Sequence, residues 1–231
     1  MDELQRHFIN RFQGGFPLVE CPYSSVAADL DTDEATLILN IRQLLNEGML
    51  SRFGPLYDAV NMGGALTLAA MSVPEHQFEQ VAQQVNDLPE IAHNYQRDHE
   101  LNMWFVIATE TPEGIQKTIR NIEQNTGLTV YDFPKLQEFY LGLWLQLDEG
   151  GRVSTRSFDS PIQQTTTRLD ELDRKIITAT QQGLALVSKP YADIAARAGC
   201  DAETVIERLT SMLEQGVVRR IGAIPNHYRL G

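Results

Sequence analysis

The chain is predicted to be α+β: a winged helix-turn-helix, then a ferredoxin-like antiparallel sheet domain, then a second winged helix-turn-helix. Three observations carry this. First, residues Asp2 to Gly63 and Asp170 to Gly231 align without a gap at a constant offset. Leu4, Ile9, Gln13, Gly15, Pro22, Tyr23, Asp33, Thr36, Gly48, Arg52 and Gly54 recur as Leu172, Ile177, Gln181, Gly183, Pro190, Tyr191, Asp201, Thr204, Gly216, Arg220 and Gly222. Second, the stretch after the first copy alternates in the order β-α-β-β-α-β. Third, residues 148 to 167 turn to Gly, Ser, Thr, Gln and Pro without apolar periodicity, the mark of a linker. The expected divisions are 1–62 (winged helix), 63–148 (sheet domain), 149–168 (linker) and 169–231 (second winged helix).

Each element has a local reason. Residues 2 to 12 read as an amphipathic helix stopped by Gly14-Gly15, and residues 22 to 28 as a short helix opened by Pro22. Asp31 and Thr32 turn the chain into a third helix over 33 to 47, with Leu37, Ile41, Leu44 and Leu45 on one face and Gly48 as its stop. Residues 49 to 57 read as a strand. In the middle, strands are expected over 66–73, 91–97, 102–108, 128–133 and 139–147, and helices over 74–85 and 111–125. The second copy repeats the three helices and the strand.

With 42% hydrophobic and 22% charged residues, the composition is that of an ordinary globular protein. The longest apolar runs, such as Leu66 to Met71, are too short to span a bilayer. An acidic N-terminus without a basic n-region leads to the expectation of a cytoplasmic protein. Cys21 and Cys200 occupy non-equivalent repeat positions and form no CxxC or Cys/His cluster, so two free thiols are expected. The formal net charge of -12 argues against general affinity for nucleic acid or anionic membrane.

A winged helix followed by a ferredoxin-like domain resembles the Lrp/AsnC regulators, which read DNA through the start of the third helix. Here that segment reads Asp33-Glu34-Ala35-Thr36 in one copy and Asp201-Ala202-Glu203-Thr204 in the other. Those carboxylates suit a helix N-terminus but repel phosphate, and only Arg42 and Arg208 bring positive charge. The helix-turn-helix is therefore expected to be a scaffold rather than a reader of nucleic acid.

Two stretches carry chemistry. In His93-Asn94-Tyr95-Gln96-Arg97-Asp98-His99, continuing to Asn102-Met103-Trp104-Phe105, a strand would project His93, Tyr95 and Arg97 from one face. The bland alternative is a polar, solvated strand surface. His93 and His99 lack a third ligand nearby, so no metal site is expected. The second stretch, Arg219 to Arg229, places Arg219, Arg220, Arg229 and His227 within eleven residues of an otherwise acidic chain. Arginine binds carboxylates through paired planar hydrogen bonds, so such a cluster suits a polycarboxylate ligand. Its bland alternative is a solvated wing hairpin.

The RRIGAIPNHYRLG ending, the GGFPLV and PY elements and HNYQRDHELNMWFV resemble the sirohaem decarboxylases, the Ahb and Nir D/L/G/H branch of the Lrp/AsnC superfamily. The pattern is that of a fused Nir D-L arrangement, the first copy and sheet domain resembling the D part and the second copy the start of the L part. The resemblance implies a carboxy-lyase that removes two acetate carboxyl groups of sirohaem. The product would be 12,18-didecarboxysirohaem, on the route to haem d1 or to haem by an alternative pathway. Iron would arrive with the substrate, and no separate cofactor is implied. Arg97, Arg219, Arg220 and Arg229 would take substrate carboxylates. Tyr95, Asn102 and Trp104 would position the macrocycle, and His227, His93 or His99 would donate the proton. The first copy has Ala59 and Asn61 where the second has His227 and Arg229, so the copies are inequivalent and a composite site is expected. A homodimer or a complex with Nir G/H-like subunits is expected. The competing reading is a transcription regulator or haem sensor without catalysis.

Overall fold

The computed structural model describes residues 1–136, 142–150, 152–158 and 169–230, with the backbone alone for 142, 143, 156–158 and 228. In chain order the first copy gives α1 (Glu3–Phe12), α2 (Pro22–Asp29), α3 (Glu34–Asn46) and β1 (Leu50–Tyr57). The sheet domain follows with β2 (Ala65–Met71), a 3-10 turn, α4 (Phe78–Asn86), β3 (Ile91–Gln96), β4 (Met103–Thr109), α5 (Pro112–Thr126) and β5 (Val130–Pro134). Then come β6 (Gly142–Leu147) and β7 (Val153–Phe158). The second copy closes the chain as α6 (Glu171–Thr180), α7 (Pro190–Ala198), α8 (Ala202–Glu214), β8 (Val218–Pro225) and α9 (His227–Leu230).

The described residues form two units. A helical unit draws on 1–58, on the described residues between 142 and 158, and on 169–230, and a sheet unit on 59–136. In the helical unit the repeat becomes a symmetric pair. Asp2 caps α1, accepting from the Gln5 amide at 2.7 Å while Gln5 Oε1 accepts from the Asp2 amide at 3.0 Å; Asp170 and Asp173 do the same for α6. Asp33 and Asp201 cap the third helices, each accepting from the Thr amide three residues on. Each copy holds only one strand, and the two pair with each other: β1 runs antiparallel to β8, with Gly54 opposite Gly222. The bonds around that centre come in equivalent pairs. The Phe16 amide donates to Ile221 O at 3.0 Å and the Leu184 amide to Phe53 O at 2.8 Å. Tyr23 Oη donates to Ala185 O at 2.8 Å and Tyr191 Oη to Pro17 O at 2.9 Å. The solvated wing hairpin considered from sequence is thus absent among the described residues, because each strand finds its partner in the other copy. Phe8, Phe12, Phe16, Tyr23 and Phe53 fill the first copy's core, with Phe16 and Phe53 edge-to-face at 4.9 Å. Each such ring contributes roughly 1.5–3 kcal/mol by leaving water.

The sheet unit is ferredoxin-like. Its four strands run in the order β3-β4-β2-β5, every neighbour antiparallel. Helices α4 and α5 cover one face, over a core of Ala69, Met71, Val81, Val85, Met103, Phe105, Ile107, Ile115, Ile119, Ile122 and Val130. Two expectations change. The strand expected from Phe139 begins outside the described residues, and from Gly142 it leaves the sheet domain, so that domain ends before the expected boundary at 148. Strand β6 pairs instead with β7. Its free edge is held by α1: Gln13 Nε2 donates to Leu145 O at 2.6 Å and Asn10 Nδ2 to Leu147 O at 2.8 Å, while both side-chain oxygens accept from the same residues' amides. The expected linker 149–168 lies partly outside the described residues, but 153–158 within it is the strand β7.

Candidate active site on the open face of the sheet

Side chains alternate across a strand, so the sheet face opposite α4 and α5 is set by the residues between those of the core. Register lines them up in rows. Tyr95 stands opposite Trp104, Trp104 opposite Ala70, and Ala70 opposite Tyr131; beside them run His93, Val106, Leu68 and Phe133. Leu66, Leu68, Tyr95, Tyr131 and Phe133 are all exposed. An uncovered apolar face of this extent marks a place where something binds.

The polar groups expected from sequence sit at one side of this face. The His93 and Tyr95 rings lie 6.1 Å apart, and the Arg97 guanidinium carbon lies 5.4 Å above the Tyr95 ring. Such stacking holds the guanidinium over the face while leaving its planar edge available to a carboxylate. Trp104 is fixed from both sides: its indole Nε1 donates to Leu101 O at 2.6 Å, and its ring stacks on Phe133 at 5.3 Å. So imidazole, phenol, guanidinium and indole line one apolar surface.

Other expected residues fall elsewhere. Asn102 is at the foot of β4, where Nδ2 donates to Val73 O and Oδ1 accepts from the Val73 amide, both at 2.8 Å. That side chain ties β4 to the end of β2. His99 is exposed in the turn after β3, its Nδ1 accepting from the Leu101 amide at 3.0 Å. The remaining residues belong to the helical unit. Arg219 is committed to Asp58, with Nε at 2.8 Å and a terminal nitrogen at 2.6 Å from one carboxylate oxygen. Arg220 follows it on β8, half-buried, its Cβ beside Gly14. His227 opens α9, exposed, with Arg229 exposed two residues on. Sequence reasoning missed Leu68, Val106, Tyr131 and Phe133. The alternation Val130-Tyr131-Asp132-Phe133 was the signal that could have found the last two.

The third helices keep their acid starts. Asp33 accepts from both the amide and the hydroxyl of Thr36, which holds its carboxyl below the usual range, and Thr204 does the same to Asp201. Those carboxylates stay ionised where a regulator would meet phosphate. No helix among the described residues is long and apolar enough to cross a membrane. Cys21 and Cys200 are free thiols.

Fold and face together define an AsnC-like ligand-binding protein built on a paired helix-turn-helix. The AsnC-like ligand binding domain model matches residues 62–140, and the siroheme decarboxylase NirDL-like HTH domain model matches residues 5–50 and again 173–219. A siroheme decarboxylase NirG subunit from Stutzerimonas stutzeri is 52% identical over 143 residues, 62% of this chain and 97% of that protein. A siroheme decarboxylase NirDL subunit from Paracoccus denitrificans is 31% identical across all of this chain and 70% of its own length. The crystal structure of the siroheme decarboxylase NirDL in co-complex with an iron-uroporphyrin III analogue superposes with a TM-score of 0.75 at 27% identity, covering 96% of this chain. This chain spans 65% of that one. The chain belongs to the siroheme decarboxylase family.

One detail of the sequence reading shifts. The stretches shared with NirG and NirD subunits have the length of one helix-turn-helix copy plus one sheet domain. There identity reaches 52% with NirG but 39% with NirD from the same organism, a G-type likeness stronger than the expected D-type one.

Proposed function

We propose that this chain is a sirohaem decarboxylase subunit that removes two acetate carboxyl groups of sirohaem to give 12,18-didecarboxysirohaem. The observation that carries the proposal is the open sheet face, where His93, Tyr95, Arg97 and Trp104 border an exposed aromatic and aliphatic surface in an AsnC-like ligand-binding domain. Four strands span about 15 Å, wide enough for a flat tetrapyrrole ring to lie against them. Trp104, Tyr131 and Phe133 offer ring contact, and Arg97 a planar partner for a ring carboxylate.

The chemistry balances without an external electron carrier. The bond between the acetate methylene and its carboxylate breaks, the carboxylate leaves as CO2, and the electron pair stays on carbon, delocalised by the macrocycle. A proton then converts the methylene to a methyl group. An imidazole can hold and give up that proton, and His93 is the one on the face. Iron enters with the substrate, and the proposal needs no separate cofactor. It places the reaction in the cytoplasm. Related Nir subunits, or a second copy of the chain, are the proposed partners, because relatives matched over 143 and 149 residues, nearly their whole length, carry the name of subunits.

The test is anaerobic incubation of the purified protein with sirohaem, followed by mass spectrometry of the extracted tetrapyrrole. Loss of two carboxyl groups is expected, and His93→Ala should slow it by roughly 10²–10⁴-fold with sirohaem still bound. A His93→Ala protein with full turnover would pass the donor's role to His227 or His99. Sirohaem that neither binds nor changes, with or without an added NirG-type subunit, would refute the proposal.

A further inference from the structure

The third helices of the two copies, α3 and α8, share caps and length but differ in their outer faces. Helix α3 buries Leu37, Ile41 and Leu44 on one side. A second apolar stripe, Ala35, Ile38 and Leu39, lines a cleft of about 830 Å³ whose other wall is Leu186 to Ser188 of the second copy. Leu39 is 61% exposed and Val187 46%, so this stripe is turned to water. A helix apolar on two sides calls for a partner on each. The charges along the cleft are separated by sign. Asp33 and Glu34 stand at its start and Arg42 at its end, about 12 Å along the axis from Glu34. Among the described residues, Glu34 Oε1 is closed off from solvent with no donor, and Arg42 is exposed without an ion pair. Lys189, next to the other wall in sequence, is already bound to Glu20 at 2.7 Å. In α8 the stripe is gone: Glu203, Glu207 and Thr210 stand where α3 has Ala35, Leu39 and Arg42, and Ala202 stands where it has Glu34.

We infer that α3 is a self-association surface, packed antiparallel on α3 of a second copy of this chain. Self-complementarity selects that occupant. Glu34 and Arg42 lie equally far to either side of Ile38. A two-fold axis beside Ile38 therefore sets Glu34 against the partner's Arg42, and Arg42 against the partner's Glu34. Between these two ion pairs, Ala35, Ile38 and Leu39 meet their own counterparts and leave water. A basic segment in the cleft would match Glu34 but leave Arg42 unanswered, and an acidic one the reverse. Because α8 lacks the stripe, each chain offers this face once, and the pairing closes at two rather than running on into a fibre. One helix pair with its flanking loop is small beside the roughly 1,200–2,000 Å² of stable interfaces, so the dimer is a reversible one. A second copy stands among the partners proposed above; the face it uses is what is added, and it does not depend on the reaction.

Sedimentation velocity of the purified chain, from micromolar to near-millimolar concentration in about 0.15 M salt, is the test; the salt screens the repulsion between acidic chains. Concentration-dependent association is expected, and Leu39→Glu should weaken it roughly tenfold or more by bringing a carboxylate into the apolar contact. Leu39 is exposed and α8 carries Glu207 at the equivalent position, so this variant is expected to fold, which an unchanged melting temperature would verify. Glu34→Arg and Arg42→Glu should each weaken association roughly tenfold through like charges. Mixing those two variants in equal amounts should restore it, because each chain then meets the opposite charge at both ends of the helix. No association at the highest concentration, or association indifferent to Leu39→Glu, would overturn the inference. So would charge variants that fail to rescue each other on mixing, since the antiparallel register requires that rescue.

Discussion

Gly222 faces Gly54 at the centre of the β1-β8 ladder, and a methyl group there would press against backbone rather than side chains. A Cβ on Gly222 would collide with Phe12 O and come within 2.8 Å of Gln13 C. Gly54 is crowded by a different stretch of the other copy's backbone, its Cβ falling 2.7 Å from Leu184 N, and it also sits at φ 143. Gly48 has φ 70 but open space around it. Three alanine variants therefore separate two costs. Gly48→Ala carries only the left-handed backbone penalty, about 1–2 kcal/mol. Gly222→Ala carries only crowding. Overpacking against groups that cannot rotate away costs about 1–3 kcal/mol, and parting the strands from the helix ends strains the Phe16–Ile221 bond, worth about 1 kcal/mol more. Gly54→Ala carries both. The expected order of destabilisation is Gly54→Ala, then Gly222→Ala, then Gly48→Ala, with the first losing about 4 kcal/mol. That is a large part of the 5–15 kcal/mol typical of a folded domain. Urea unfolding followed by far-ultraviolet circular dichroism reads the shift in midpoint. If Gly222→Ala proved as mild as Gly48→Ala, the paired strands would not hold the two copies together, and the reasoning would fail.

Three further outcomes are expected. Tyr23→Phe and Tyr191→Phe each delete one equivalent hydrogen bond between the copies, so thermal unfolding should show matched losses of about 1 kcal/mol; a marked inequality would break the symmetry argument. The Asp33, Asp170 and Asp201 carboxyls are all held below their usual range by hydrogen bonds to backbone or side-chain donors. A depressed folded pKa stabilises above the unfolded value, near pH 3.9, and that stability disappears as pH falls through the folded value. The melting temperature should therefore drop steeply below about pH 4, and a protein with both Asp33→Ser and Asp201→Ser, capped but not titrating there, should drop less. Asn102→Ala should cost about 2 kcal/mol, because it removes both bonds to Val73, while the mutant protein's affinity for sirohaem stays within twofold. A large affinity loss at unchanged stability would return Asn102 to the substrate.

Local signals were legible because local physics decides them. Asp caps, a proline opening a helix and period-two alternation located nearly every element, and alternation alone put His93, Tyr95 and Arg97 on one face. What escaped depends on partners distant in sequence. The lone strand in each copy called for a neighbour, yet nothing near residue 54 says that the neighbour is residue 222. Gln146 and its flanking leucines read as one more strand of the sheet, whereas Asn10 and Gln13 divert that strand to α1; two amides at a spacing of three near the end of that helix were the clue. Arg219 was counted as a free cation because Asp58, its neutralising partner, lies in the other copy.

The paired scaffold also explains how the copies diverged in chemistry without losing their fit. The Asp58 amide donates to Val217 O and the Asn226 amide to Met49 O, at 2.9 and 2.8 Å, so equivalent backbone bonds fix the point where each strand ends. Up to that point the ladder constrains both sequences, and the matched glycines and tyrosines show it. The next position is released from the constraint. There the first copy carries Ala59 and the second His227, and two residues later Asn61 corresponds in the repeat to Arg229. In a duplicated module, an exit that the ladder holds in place but no longer specifies is where one copy can acquire an imidazole and a guanidinium while the other keeps small or neutral groups. His227→Ala should accordingly move the unfolding midpoint far less than Gly222→Ala does, with its main effect in turnover. A fall in stability comparable to that of Gly222→Ala would mean that the ladder's control extends past residue 226.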